Sequence, residues 1–135
     1  MIGRFSRRLR PTAAGIEAGL TPTRTMVLLH VVRAERIKLA EVAEAEGLNP
    51  TMLSRVVAQL ADDGLVTRES DEEDRRAAWV SVTTKGKKLA ERIRRERTDA
   101  LNRALHGLTE SEQQSIERAL PALEKLADAL KDRSA

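Results

Sequence analysis

Between Leu39 and Thr83 the chain sets out two short helical stripes, a tight joint and two β-rich runs, and that order restricts the fold more than any other feature. The first stripe, Leu39, Val42 and Ala43, is apolar at i, i+3 and i+4 before Gly47 stops it. Asn49-Pro50 then supplies a cap and a proline at the first helical position. Leu53, Val56, Val57 and Leu60 follow at i, i+3, i+4 and i+7, up to Gly64. Gly47, Leu48 and Asn49 join the two helices. Beyond them LVTRES and WVSVT are β-rich and flank the polar DEEDRRAA, which predicts a hairpin with a long exposed tip.

The flanks are helical. Thr21-Pro22 opens a helix whose run Met26, Val27, Leu28, Leu29, Val31, Val32 is apolar nearly all round, so it is expected to be buried on several sides. Thr83 can cap a helix over 84–106 with Leu89, Ile93, Ala100, Leu101, Ala104 and Leu105 on one stripe, interrupted at Arg97. Thr109 to Glu112 spell a capping box. The helix after it places Ile116, Leu120, Leu123, Ala127 and Leu130 at alternating spacings of four and three, a coiled-coil-like seam. Pro121 lies inside that helix and is expected to kink it unless its neighbours compensate. With Phe5 and Trp79 the only aromatic residues, Leu, Val, Ile and Ala must fill the interior. The fold class expected is mainly α with a small β-hairpin wing (α+β), a winged helix-turn-helix with N- and C-terminal dimerisation helices. One domain of 135 residues is expected, with 34–83 as the winged region and 1–33 and 84–135 as helical dimerisation region.

Composition narrows the function. The absence of cysteine excludes a disulfide framework, a thiolate metal site and a thiol switch, and there is no signal-peptide run behind Arg4, Arg7, Arg8 and Arg10. A cytoplasmic protein with no membrane partner is expected. His30 and His106 are too few for a multi-ligand zinc site, and His30 reads first as a packed core residue. No nucleophile–base pair, carboxylate dyad or phosphate loop stands out, so neither catalysis nor a cofactor is expected. The net charge of +3 is unevenly spread: 1–33 and 84–106 carry +5 each, 34–83 carries −5 and 107–135 carries −2. The winged region is formally acidic, so pattern rather than charge must identify a DNA reader. The acidic balance also leaves open its use as a protein-interaction module.

In a helix-turn-helix the second helix lies in the major groove with its N-terminal residues against base edges. Here Thr51, Ser54, Arg55 and, one turn on, Gln59 fall opposite the apolar stripe. Arg55 can fork onto guanine or hold a phosphate, and the sequence leaves both open. Arg75 and Arg76 at the hairpin tip suit the minor groove, with Asp74 pairing one arginine and aiming the other. Lys85, Lys87 and Lys88 are equally suited to phosphate or to a solvated face.

From Leu20 to Leu89, LTPTRTMVLL, LAEVAEAEGLNPTMLSRVVAQLADDGLVTRE, DEEDRR and VSVTTKGKKL resemble the MarR family of bacterial transcription regulators. The resemblance implies a winged-helix homodimer on a palindromic operator in double-stranded DNA. It also implies a repressor, often released by a small aromatic or phenolic effector. By that match Thr51, Met52, Ser54 and Arg55 are recognition-helix contacts and Asp74, Arg75 and Arg76 wing contacts. Two features depart from the pattern. Thr25 stands where many members carry an aromatic residue, and the short N-terminal helix holds Pro11 and Gly15; either can reshape the effector pocket.

Overall fold

The computed structural model describes residues 2–9, 11–71 and 77–131. The chain divides into two compact units, residues 1–97 and residues 98–135. The first holds α1 (Ile2–Leu9), α2 (Ala13–Glu17), α3 (Pro22–Ala34), β1 (Arg36–Lys38), α4 (Leu39–Glu46), α5 (Pro50–Asp62), β2 (Val66–Ser70) and β3 (Ala78–Val82). It also holds most of α6 (Thr84–His106). The second unit contains the end of α6 and α7 (Glu110–Lys131).

The helix starts follow their caps. Thr21 Oγ1 accepts the Arg24 N–H at 3.2 Å, and Asn49 Oδ1 accepts the Thr51 N–H at 2.8 Å. Gly47 ends α4 at φ 61, ψ 34, the left-handed stop that glycine adopts without a Cβ penalty. In the second unit the Thr109 N–H donates to Glu112 Oε2 at 2.8 Å while the Glu112 N–H returns to Thr109 Oγ1 at 3.3 Å, a closed capping box. α7 continues through Pro121.

Two elements differ from the sequence expectation. The N-terminal helix is split: α1 ends at Leu9, and Thr12 caps the five-residue α2 by accepting the Gly15 N–H. Pro11 therefore precedes α2 as a breaker instead of lying inside a helix, while Gly15 is within it. The wing is also not a two-stranded hairpin. Arg36–Lys38 form β1, which pairs antiparallel with β3, giving a three-stranded sheet in the order β1-β3-β2 with Ile37 opposite Val80 and Thr67 opposite Ser81. Glu35, at φ 61 and ψ −46, makes the sharp turn from α3 into this strand.

Leu28, Leu53, Leu60, Ile93, Val57 and Val80 are among the fully buried side chains, so the core joins α3, α4, α5 and α6 to one face of the sheet. At about 25 cal/mol per Å² of apolar surface, each such leucine contributes roughly 2 kcal/mol. The second helix of the helix-turn-helix is thus held on its whole apolar face. Its outer face is placed as firmly as the core.

Candidate nucleic-acid interface

α5 divides cleanly. Leu53, Val56, Val57 and Leu60 are buried, while Thr51, Met52, Arg55 and Gln59 are exposed, Met52 to 50%. Helical spacing gathers the exposed set around Arg55, which lies three and four residues from Met52, Thr51 and Gln59. The structure brings these four together on one face of α5, with Thr51 and Met52 in its first turn, where a backbone dipole favours anions. No carboxylate pairs with Arg55 among the described residues.

Ser54 is placed differently. It is half-buried, and its Oγ accepts a 3.3 Å hydrogen bond from Arg68 Nη1, a side chain that reaches over from β2. Arg68 was absent from the expected contact set, because a lone arginine in LVTRES carries no signal in the linear pattern. Strand alternation could have found it: Arg68 is two residues from the buried Val66 and so shares its side of β2, which faces α5.

The other end of α5 is tied down by cations. Arg24 pairs with Asp63 and donates to the Gly19 carbonyl at 3.1 Å, and Lys85 Nζ donates to the Asp63 carbonyl at 2.7 Å. Positive groups at a helix C-terminus complement its dipole. Lys87 is occupied by Glu35 at 2.8 Å, and this partner holds the Glu35 carboxyl below its usual range through a hydrogen bond and charge attraction. Lys85 and Lys87 therefore brace the winged unit, while Lys88 is exposed.

Asp74, Arg75 and Arg76 lie outside the described residues. The foot of the wing is described. The Asp71 N–H donates to the Ala77 carbonyl at 3.0 Å, and Trp79 Nε1 donates to Asp71 Oδ2 at 3.0 Å. Lys38 Nζ lies 3.4 Å from that carboxylate. The Arg36 guanidinium and Lys38 ammonium stand 4.2 and 5.1 Å from the Trp79 ring centre, as cation–π partners from β1. This clasp ties β1 to the ends of β2 and β3 at Asp71 and Ala77.

His30 is half-buried, with Nδ1 2.6 Å from Glu46 Oε1, and so links α3 to α4. No group of three His, Cys, Asp or Glu side chains suited to a metal ion occurs among the described residues. No described helix is long and apolar enough to cross a membrane. The first unit also holds clefts. One, of about 780 Å³, sets the apolar Ala14, Ala18 and Leu89 beside the cations of Lys85, Lys88 and Arg92 and the carboxylates of Glu17 and Asp63. A smaller one, of about 160 Å³, is lined by Thr12, Gly15, Ile16, Leu20 and the buried Thr25.

The model of the MarR family matches residues 20–78. The HTH-type transcriptional repressor MdtR of Bacillus subtilis is 29% identical over 94 residues, covering 70% of this chain and 61% of its own. The exopolysaccharide II synthesis transcriptional activator ExpG of Rhizobium meliloti is 30% identical over 126 residues, covering 91% and 62%. The chain thus spans about three fifths of the length of these curated relatives. Among solved structures, a MarR protein from Peptoclostridium difficile shares the fold at 19% identity with a TM-score of 0.79, covering 98% of this chain and 86% of that one. Streptococcus pneumoniae FabT, solved in complex with DNA, is 18% identical with a TM-score of 0.67, covering 80% and 76%. The helix-turn-helix of α4 and α5, the three-stranded wing and the family match to residues 20–78 together place this chain in the MarR family.

Proposed function

We propose that this protein is a sequence-specific transcription regulator that binds double-stranded DNA, with α5 in the major groove and the wing against the adjacent minor groove. The observation that carries this reading is the outer face of α5. Thr51, Met52, Arg55 and Gln59 form a carboxylate-free surface of base-sized donors, acceptors and an apolar contact, on a helix locked by four buried residues. The DNA complex of a structural neighbour supports the same use of the fold.

The regulator acts as a homodimer on a palindromic operator. Support comes from α7, where Ile116, Leu120, Leu123 and Leu126 are 42 to 52% exposed at helical spacing, an apolar stripe that a partner helix can cover. Two-fold symmetry then sets half-sites about 34–36 Å apart. The protein acts in the cytoplasm as a repressor, as the name of MdtR suggests for that relative, and a small ligand relieves it. The larger cleft suits a small aromatic or phenolic effector, since it sets apolar Ala14, Ala18, Leu65 and Leu89 beside charged side chains of both signs.

A mobility shift with fragments of the surrounding genome, including the region upstream of its own gene, tests the reading. Salt-sensitive binding that Arg55→Ala weakens about 10-fold or more on the specific site supports it, in line with the loss of one forked base contact. An equal loss on specific and random duplexes makes Arg55 a phosphate contact. Absence of salt-sensitive binding, with a protein partner co-purifying, replaces DNA recognition by the interaction-module reading.

A further inference from the structure

Arg68 occupies a strand position where alternation asks for an apolar side chain, since it lies two residues from buried Val66 on β2. It is nonetheless exposed, and it pairs with no carboxylate among the described residues. Its neighbour on the strand, Glu69, sits 3.6 Å from Arg36 instead. The polar contact of Arg68 is with the neutral hydroxyl of Ser54, at 3.3 Å. A guanidinium carries five donors, so one bond to a neutral acceptor leaves the charge and most of the fork unspent. Arg68 and Ser54 line a cleft of about 260 Å³ together with Lys38, Pro50, Leu53 and Ala78. Ser54 precedes Arg55 on α5, so Arg68 meets the helix at the turn that also carries Arg55.

We propose that Arg68 is a second specificity-determining arginine of the DNA-reading surface, and that Ser54 is its positioning residue and not an independent base contact. The Ser54 hydroxyl holds one edge of the guanidinium against α5, and the opposite edge forks onto a base edge beside the one that Arg55 meets. The inference rests on the DNA-binding reading above. It predicts that the effect of losing the Ser54 hydroxyl passes through Arg68.

The test selects binders from random duplexes with the full chain, sequences the bound pool, and measures Kd on the winning duplex across a salt series. The variants are Arg68→Ala, Arg68→Lys, Ser54→Ala and the double alanine, each checked by thermal melting. Expected are a loss of about 10-fold or more for Arg68→Ala on the selected duplex and a relaxed preference at one base pair per half-site. Arg68→Lys keeps the charge, so it keeps the salt slope yet relaxes the same base pair. Ser54→Ala shifts that base pair more weakly, and the double variant is no worse than Arg68→Ala. Unchanged preference and affinity in Arg68→Ala and Arg68→Lys overturn the inference. So do an equal loss on selected and random duplexes, or independent, multiplying effects of Ser54→Ala and Arg68→Ala. Wild-type protein that selects no duplex overturns the DNA-binding reading itself, whereas intact wild-type selection with silent Arg68 variants overturns only this inference.

Discussion

Gly86→Ala is expected to unseat the start of α6 from the winged unit. Thr83 fastens that start. Its N–H donates to the Leu65 carbonyl at 3.1 Å, its hydroxyl lies 2.7 Å from the Gly64 carbonyl and 3.0 Å from that of Leu65, and it accepts the Gly86 N–H at 3.0 Å. The helix is thereby drawn so close that a Cβ on Gly86 would stand 2.1 Å from the Leu65 carbonyl oxygen and 3.0 Å from Val82 Cγ2. The obstructing oxygen is backbone, and it belongs to a residue only 2% exposed, so it cannot rotate away. Overpacking costs about 1–3 kcal/mol, the disturbed cap about 1 more, and the better helix propensity of alanine returns about 1. An approach of 2.1 Å to backbone puts the overpacking in the upper half of its range, so the net loss is about 2–3 kcal/mol, or a fall in Tm on the order of 10–20 °C for a unit of this size. Urea unfolding followed by the fluorescence of Trp79 measures it directly. Gly47→Ala is the comparison, because Gly47 has φ 61 but nothing within 4 Å of an added Cβ. It should lose only about 1 kcal/mol, from backbone conformation alone. A Gly86→Ala protein as stable as wild type, or no worse than Gly47→Ala, would refute the close-docking argument.

Trp79→Phe keeps a ring for Arg36 and Lys38 but removes the donor to Asp71, and should cost about 1 kcal/mol in urea unfolding followed by circular dichroism. It should also weaken operator binding more than Leu108→Ala does, since it loosens the foot of the wing. Leu120→Glu with Leu123→Glu places charges on the exposed stripe of α7 and should shift the protein from dimer to monomer in sedimentation, leaving the first unit's thermal transition in place. Glu112 is held below the ordinary glutamate range by the backbone and side-chain hydrogen bonds it accepts from Thr109, so its capping is complete above that range and lost as pH falls through the lower folded pKa. A carboxyl titration by NMR that shows Glu112 at or above the ordinary glutamate range would contradict this.

The sequence disclosed elements whose signals are local and lost those whose causes are not. Thr21-Pro22, Asn49-Pro50 and the Thr109 to Glu112 box mark helix starts because each cap is satisfied within three residues, and each is where expected. β1 was illegible because Arg36-Ile37-Lys38 is too short for a period of two to show, and it becomes a strand only by pairing with β3, over forty residues on. Arg68 was missed for a related reason. Its hydrogen bond to Ser54, fourteen residues away, is a contact that folding alone creates. The exposure of Thr51, Arg55 and Gln59 was readable because a helix places them by its own period, whereas Met52 entered through the family resemblance and Ser54, read as outward, is half-buried under Arg68.

The charge pattern shows the same division between local and distant causes. Counted along the sequence, 34–83 is acidic and should repel phosphate. In the fold, Asp63 is met by Arg24, Glu46 by His30 and Glu35 by Lys87, all partners from outside the segment, while Glu69 faces Arg36 and Asp71 faces Lys38. The two flanking segments of +5 thus lend the cations of Arg24 and Lys87 to the winged unit. These pairs are mostly exposed and contribute little to stability, about 0–1 kcal/mol each. Their effect is on the field. The described carboxylates of 34–83 lie on α4, in the turn at Glu35, at the C-terminal end of α5 and on the sheet, while Arg55 on α5 and Arg68 on β2 have no acid bound to either among the described residues. A surface of this kind makes few phosphate contacts per protomer, so the slope of affinity against salt should be shallow, at about 0.9 per contact. Discrimination must then come from the forked geometry of single arginines, and it is lost when one of them is moved and not merely when the net charge is changed.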